Sequence, residues 1–216
     1  MTEVRAVGID PGAKVMDAVV LETTPGAMRV VDVTILLPLE ENRLAELCAG
    51  TSAIAIDAPS DLSTAVHANE VALAGKFQTA RCGEIALRDD HRCAVQFATP
   101  TNLEATSSWM REGFRLWQLL RDREHTPIEV YPHGAFTALA GHRPPNKKKP
   151  EGERARLDLL ARHIDLPRTA AQWSHDTIDA AVAALVAVWS ATEGPAVAAR
   201  HDHEGEDGSA IWIPAT

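Results

Sequence analysis

Three β-rich runs at the start of the chain constrain its fold more than any other feature. The runs are Val4–Asp10, Val15–Glu22 and Met28–Leu37. The linkers between them are short and carry the turn residues proline and glycine, so successive runs are expected to pair as hairpins. The sequence therefore predicts an antiparallel meander of three strands at the N-terminus.

The residues that follow predict parallel strands alternating with helices. Leu39–Ala49 has leucines on roughly one side and stops at a glycine, as a helix does. Ala53–Asp57 is almost wholly apolar before its final aspartate, which is typical of a strand buried on both faces at the centre of a sheet. Further helices are predicted near residues 65–90, 103–123, 152–163 and 175–191, strands at 127–132 and, at a sheet edge, 211–214, and a basic, proline-rich loop at 143–153.

This order of elements matches the ribonuclease H-like architecture, which is an α/β fold. Its mixed central sheet combines an antiparallel meander of three strands with parallel strands, and helices flank the sheet. The 216 residues contain neither an internal repeat nor a convincing linker. The chain is therefore predicted to form a single ribonuclease H-like domain over residues 1–216.

Composition and charge narrow the class of protein. The hydrophobic fraction of 45% is mostly aliphatic, and the three cysteines include no C-x-x-C pair, so neither a disulfide framework nor a zinc finger is predicted. The longest apolar stretch, residues 180–189, is too short to span a bilayer, and we expect a cytoplasmic protein without a membrane partner. The formal net charge of −9 argues against coating of nucleic acid by bulk electrostatics. It leaves room for an enzyme acting on phosphodiesters, because bound metal cations reverse the local sign.

Two aspartates close predicted strands that should lie side by side. Asp10 ends the first strand before a Pro-Gly turn, and Asp57 ends the apolar strand before Ala58-Pro59. A turn-initiating aspartate would explain either residue alone. Together, however, adjacent parallel strand ends bring the carboxylates near each other, and a charge that closes an apolar strand is costly without water, a cation or a partner. The pair therefore indicates a functional site.

A second acidic pair lies at the start of the last predicted helix. Ser174 is the expected N-cap, and Asp176 and Asp179 are three residues apart, hence on one helical face. The helix macrodipole alone would explain Asp176. Asp179 lies deeper, among alanines that should pack closely against another element. Like charges this close repel unless a divalent ion lies between them.

These carboxylates predict a site for Mg²⁺ or Mn²⁺ rather than zinc. Its predicted ligands are Asp10, Asp57, Asp176 and Asp179. Two such ions, roughly 4 Å apart, would activate a water and stabilise the leaving oxygen in phosphodiester cleavage. Glu129 is a further candidate ligand and catalytic residue, or else an outward-facing strand residue. His175 is a candidate proton shuttle, or else an ordinary residue of the first helical turn.

Seven short motifs, taken in order, resemble a bacterial and archaeal family of predicted nucleases with the ribonuclease H-like fold, known as domain of unknown function four-twenty-nine. The motifs are V-G-I-D-P-G, A-I-D-A-P, Arg81-Cys82-Gly83-Glu84, Glu129-Val130-Tyr131-Pro132, the Lys147–Arg154 stretch, His175-Asp176-x-x-Asp179-Ala180 and a closing I-W-I-P. The resemblance covers nearly the whole chain. It implies that the four aspartates are metal ligands, and it implies a distant similarity to RuvC-type resolvases.

The chain departs from the family's pattern at two of these motifs. Many relatives carry another acid at His175, and a Gly-Cys or Gly-Ala step is commoner after the first aspartate than the Pro11-Gly12 found here. The first departure brings the motif closer to the H-D-x-x-D of resolvases.

A nucleic acid is the predicted partner and substrate, and the quaternary structure is left open between a monomer and a homodimer. Candidate contacts to a phosphate backbone are Lys147, Lys148, Lys149, Arg154 and Arg81. For the lysine run the alternative is a solvated loop, and for Arg81 it is an ion pair with Glu84. The run His201–Glu204 is expected to be solvated surface rather than a metal cluster.

Two other classes of function fit a related fold. An actin-like sugar kinase or ATPase shares the strand–Asp–x–Gly opening, but it needs a second glycine-rich phosphate loop, and this chain has no Gly-Gly step and is short for two lobes. A non-catalytic scaffold would keep the fold without activity, although the retained acidic set argues against it. A metal-dependent nuclease is therefore the main hypothesis.

Overall fold

A mixed β-sheet organises the chain. The computed structural model describes residues 3–38, 40–73, 75–96, 98–200 and 208–215. Within these ranges the strands are β1 Arg5–Pro11, β2 Met16–Thr24, β3 Ala27–Leu36, β4 Ala53–Ile56, β5 Ile128–Val130, β6 Ala196–Ala199 and β7 Ile211–Pro214. Their spatial order is β3-β2-β1-β4-β5-β7-β6.

The directions of the strands confirm the predicted fold class. The strands β1, β2 and β3 form the antiparallel meander, and β4, β5 and β7 continue the sheet parallel to β1. The strand β6 closes the other edge antiparallel to β7. A meander extended by parallel strands is the ribonuclease H-like arrangement.

Helices cover both faces of this sheet. They are α1 Glu41–Cys48, α2 Cys82–Asp89, α3 Ser108–Asp122, α4 Pro132–Ala140, α5 Pro150–Leu160 and α6 His175–Ala191, with short 3-10 helices at Gly75–Phe77 and Arg168–Gln172. The helices α4, α5 and α6 share one apolar core with one face of the sheet, and α1 and α3 share a second core with the other face. In the described part of the chain, no helix is long and apolar enough to cross a membrane.

The helix α6 packs unusually close to the sheet. Every residue from 177 to 189 is buried, and most of them are alanine or valine. At Gly8 on β1, an added Cβ would lie 2.1 Å from the carbonyl oxygen of Ala180 and 2.2 Å from the backbone nitrogen of Ala184. A residue with no side chain is therefore required where helix and strand cross. This contact places the first turn of α6 beside the end of β1.

Two element predictions were wrong or incomplete, at residues 65–90 and 211–214, and two elements, α4 and β6, were not predicted. The predicted helix at 65–90 forms only over Cys82–Asp89, and the residues before it are mostly turns, with Val71 95% exposed. The helix α4 was not predicted, because Pro132 indicated the end of a strand although proline also suits the first turn of a helix. The strand β7 is not at the edge, since β6 pairs outside it. The run His201–Glu204 lies outside the described residues.

Candidate metal centre

The carboxyl ends of β1 and β4 bring the first two aspartates together. The strands are parallel with Ile9 opposite Ile56, and the backbone nitrogen of Asp57 donates to the carbonyl oxygen of Ile9 at 2.8 Å. Asp10 and Asp57 therefore leave neighbouring strands at the same edge of the sheet. Both line one cleft.

The first turn of α6 adds the second pair. The Ser174 hydroxyl caps the helix by accepting from the backbone nitrogen of Thr177 at 3.0 Å. Carboxylate oxygens of Asp10, Asp176 and Asp179 lie within 4.8 Å of one another. Asp57 is outside that group but lines the same cleft. The structure thus brings all four sequence-predicted aspartates to one place.

Asp17 is a buried residue of this region that was not predicted from the sequence. It lies opposite Asp10 in the β1–β2 pairing. Its Oδ1 accepts a hydrogen bond from the Thr177 hydroxyl and another, at 3.3 Å, from the Ser174 hydroxyl. Burial raises the pKa of Asp17, while the bond from Thr177 opposes the shift. Asp17 therefore attaches the first turn of α6 to the sheet, and its only sequence signal is a charge inside a β-rich run.

The electrostatics of the cluster disfavour four free carboxylates. Burial, followed by repulsion from Asp57 and Asp179, raises the pKa of Asp10 well above its usual range. Burial, followed by repulsion from Asp179, does the same to the pKa of Asp57. Burial also raises the pKa of Asp179, although its ion pair with Lys147 opposes that shift. A bound cation would therefore stabilise the charged forms of these carboxylates.

One oxygen of Asp179 has no partner among the described residues. Asp179 is 3% exposed, and its Oδ1 is buried without a hydrogen bond, whereas its Oδ2 accepts from Lys147 at 2.5 Å. A buried unpaired carboxylate oxygen is costly unless an ion or a water satisfies it. Several aspartate oxygens with no cysteine ligand suit Mg²⁺ or Mn²⁺. The donor set therefore fits the predicted metal.

The cleft above the carboxylates has a volume of about 930 Å³. Its basic lining consists of Arg143, Lys147, Lys148 and Arg156, and its aromatic lining includes Trp109, Tyr131 and His133. Lys147 and Lys148, two of the sequence-predicted phosphate contacts, thus border the acidic group. His175 also lines the cleft, with its Nδ1 2.5 Å from Asp176 Oδ1.

The structure separates the remaining predicted residues from the cleft. Glu129, proposed as a ligand, is 6% exposed, and its two oxygens accept from the guanidinium of Arg81 and from the backbone nitrogen of Ser60. Arg81 is 2% exposed and also lies 3.4 Å from Glu84, so it forms the ion pair that was its alternative interpretation. Lys149 and Arg154 are exposed, but neither lines the cleft.

A sheet in this strand order, with carboxylates from β1, β4 and the last long helix at one edge, defines a ribonuclease H-like protein with an acidic centre. The chain belongs to the family described as protein of unknown function (DUF429), whose model matches residues 8–204. No curated protein matches it.

Solved structures of a resolvase are similar to the chain. The RuvC of Thermus thermophilus in complex with a Holliday junction substrate is 16% identical, with a TM-score of 0.45 over 88% of this chain and 97% of that chain. Another structure of Thermus thermophilus RuvC is 14% identical, with the same TM-score over 88% of this chain and 96% of that chain.

Proposed function

We propose that this protein is a metal-dependent nuclease that hydrolyses phosphodiester bonds. The ligands of Mg²⁺ or Mn²⁺ would be Asp10, Asp57, Asp176 and Asp179. The observation that carries the proposal is the unpaired, buried Oδ1 of Asp179 within a cluster of carboxylates that line a partly basic cleft. Nucleic acid is the proposed partner, and the cytoplasm is the proposed compartment.

The residues that line the cleft would have separate roles in phosphodiester cleavage. A divalent ion, when bound, lowers the pKa of a water and neutralises charge on the phosphate. Lys148 and Arg143 line the cleft and would hold the phosphate backbone. His175 is held at Nδ1 by Asp176, which leaves Nε2 to carry a proton. The apolar packing of α6 on β1 would keep the ligands in position.

The direct test is incubation with single-stranded, duplex, hybrid and branched nucleic acids in Mg²⁺, Mn²⁺ or EDTA. We expect cleavage of at least one of these substrates with metal and none with EDTA. A protein that demonstrably binds metal but cleaves none of them would contradict the nuclease proposal.

Metal binding should strengthen as the pH rises. The pKa values of Asp10, Asp57 and Asp179 are raised, so protons compete with the ion at acidic pH and are released when it binds. The raised pKa values have the opposite effect on the stability of the metal-free protein. The three groups contribute most to the free energy of unfolding below their ordinary pKa of 3.8, and this contribution is lost as the pH rises through the raised pKa values.

Thermal unfolding in Mn²⁺ and in EDTA between about pH 5 and pH 8 measures both effects. The increase in Tm caused by Mn²⁺ should grow with pH, and it should grow less in Asp57→Asn, which has one raised group fewer. A Tm increase that stays constant over this range would show that these carboxyls do not take up protons in competition with the metal.

A further inference from the structure

Lys147 extends its ammonium group into the acidic centre. Its Nζ lies 2.5 Å from Asp179 Oδ2 and 3.8 Å from Asp176 Oδ1, so it bridges the two carboxylates that α6 supplies. The 2.5 Å contact is a hydrogen-bonded ion pair with a carboxylate that is 3% exposed. The ammonium group of Lys147 therefore lies in direct contact with predicted metal ligands.

The loop that carries Lys147 is braced in this position. Arg156 is 2% exposed and donates to the carbonyl oxygen of Pro145 at 2.8 Å. The Asn146 carbonyl oxygen accepts from the backbone nitrogen of Lys149 at 3.0 Å, and the Asn146 side chain accepts from the nitrogen of Lys148 at 2.9 Å. These contacts hold the backbone on both sides of Lys147.

Gly152 allows the loop that carries Lys147 to pack closely against α5. At Gly152 an added Cβ would lie 2.0 Å from the carbonyl oxygen of Asn146, so only glycine allows this approach. Lysine side chains are long and lose considerable conformational freedom when they are held. The loop is held in place and directs Lys147 to two carboxylates. The ammonium group is therefore a fixed part of the acidic centre and not a solvated side chain.

The two oxygens of Asp179 have different surroundings. Oδ2 is taken by the ammonium group, and Oδ1 is buried and without a hydrogen bond in the described residues. We propose that Lys147 is the built-in second cation of the centre, so that the protein binds one divalent ion, with Lys147 in place of the second ion of a two-metal site. The single ion would then use the free oxygen of Asp179, together with Asp10 and Asp57, and Asp176 would contact Lys147 instead of the ion.

Charge supports a single ion in the presence of the lysine. Two divalent ions beside Lys147 would place five positive charges among four carboxylates, whereas one ion and the ammonium place three. A second ion would also need the oxygens of Asp176 and Asp179 that Lys147 contacts, and the ammonium would repel it at short range. The inference rests on the proposed function and replaces the two-metal prediction made from the sequence.

The test counts Mn²⁺ ions on the full chain by calorimetric titration and by the electron paramagnetic resonance (EPR) spectrum of the bound metal. The wild-type protein should bind one Mn²⁺ and give the six-line spectrum of an isolated ion. Lys147→Met, which keeps an unbranched side chain and removes the ammonium group, should bind two and give the spectrum of a spin-coupled pair. Lys149→Met, an exposed neighbour outside the cleft, is the matched control and should bind one.

The wild-type measurement keeps the test decisive even if Lys147→Met does not fold. Two coupled ions in the wild-type protein would overturn the inference and leave the proposed nuclease intact. One ion in both wild type and Lys147→Met, at any affinity, would also overturn it. No binding by the wild-type protein would instead contradict the metal-dependent function itself.

Discussion

Replacing Asp10 with asparagine should abolish tight Mn²⁺ binding and lower phosphodiester cleavage by about 10³-fold, because several kcal/mol of charge stabilisation at the reacting phosphate are lost. The carboxylates of Asp10, Asp176 and Asp179 lie within 4.8 Å of one another, and an amide of the same shape supplies neither the negative charge nor the second ligand oxygen. The loss should therefore be chemical and not a consequence of unfolding.

The same substitution should leave the metal-free protein at least as stable as the wild type. Burial and repulsion from Asp57 and Asp179 raise the pKa of Asp10, which means that its charged form is disfavoured in the folded state. Removing that charge relieves the repulsion. A site that gains stability when it loses function is a common property of functional clusters.

Cleavage assays measure the phosphodiesterase activity, Mn²⁺ titration measures the metal affinity, and urea unfolding in EDTA measures the stability of the metal-free protein. Asp158→Asn, an exposed residue of α5, is the matched control and should change none of them. Asp10→Asn with wild-type metal affinity would mean that Asp10 is not a ligand. Asp10→Asn that binds no metal but cleaves at the wild-type rate would mean that the hydrolysis does not depend on this centre.

Replacing Gly8 with alanine should lower the free energy of unfolding by about 3 kcal/mol, at the upper end of what one added methyl group costs in a well-packed core. The new Cβ would lie 2.1 Å from the carbonyl oxygen of Ala180 and 2.2 Å from the nitrogen of Ala184. Both are backbone atoms of a buried helix, so no side chain can rotate away. The helix α6 would have to move off β1, and a loss of this size is a large part of the stability of an ordinary domain.

The displacement of α6 should also weaken metal binding, because Asp176 and Asp179 move with it. Urea unfolding measures the loss of stability in Gly8→Ala, and Mn²⁺ titration measures the loss of metal affinity. Gly75→Ala is the control, since a Cβ at Gly75 meets nothing within 4 Å, and its stability should stay within about 0.5 kcal/mol of the wild type. If Gly8→Ala were equally stable, the close crossing of α6 over β1 could not be correct.

Much of the fold and the acidic centre could be predicted because their signals are local. Short turns joined the first three strands, an apolar run identified β4, and Ser174 marked the start of α6. Each of the four aspartates predicted as metal ligands lies at the end of a strand or in the first turns of a helix. Once the strands are parallel neighbours, their ends must meet at one edge of the sheet.

Other residues could not be assigned from the sequence, because their partners are distant in the chain. Strand alternation identified Glu129 as a side chain that faces away from Ile128, but it could not show that the side chain meets Arg81, 48 residues earlier. The lysine run gave no sign of which member would reach Asp179, 32 residues later. Asp17 resembled any charge in a strand until its bonds to Ser174 and Thr177 were known.

The sequence by itself determined the fold class, most of the strands and helices, and the places where carboxylates end them, because turns, caps and apolar periods act over a few residues. Only the tertiary structure decided which charges meet. The close approach of α6 at Gly8 and of the lysine loop at Gly152 leaves one oxygen of Asp179 buried and unpaired and puts the other against the ammonium group of Lys147. That arrangement depends on packing between elements far apart in the chain, and the proposal of one ion with a lysine in place of two ions rests on it.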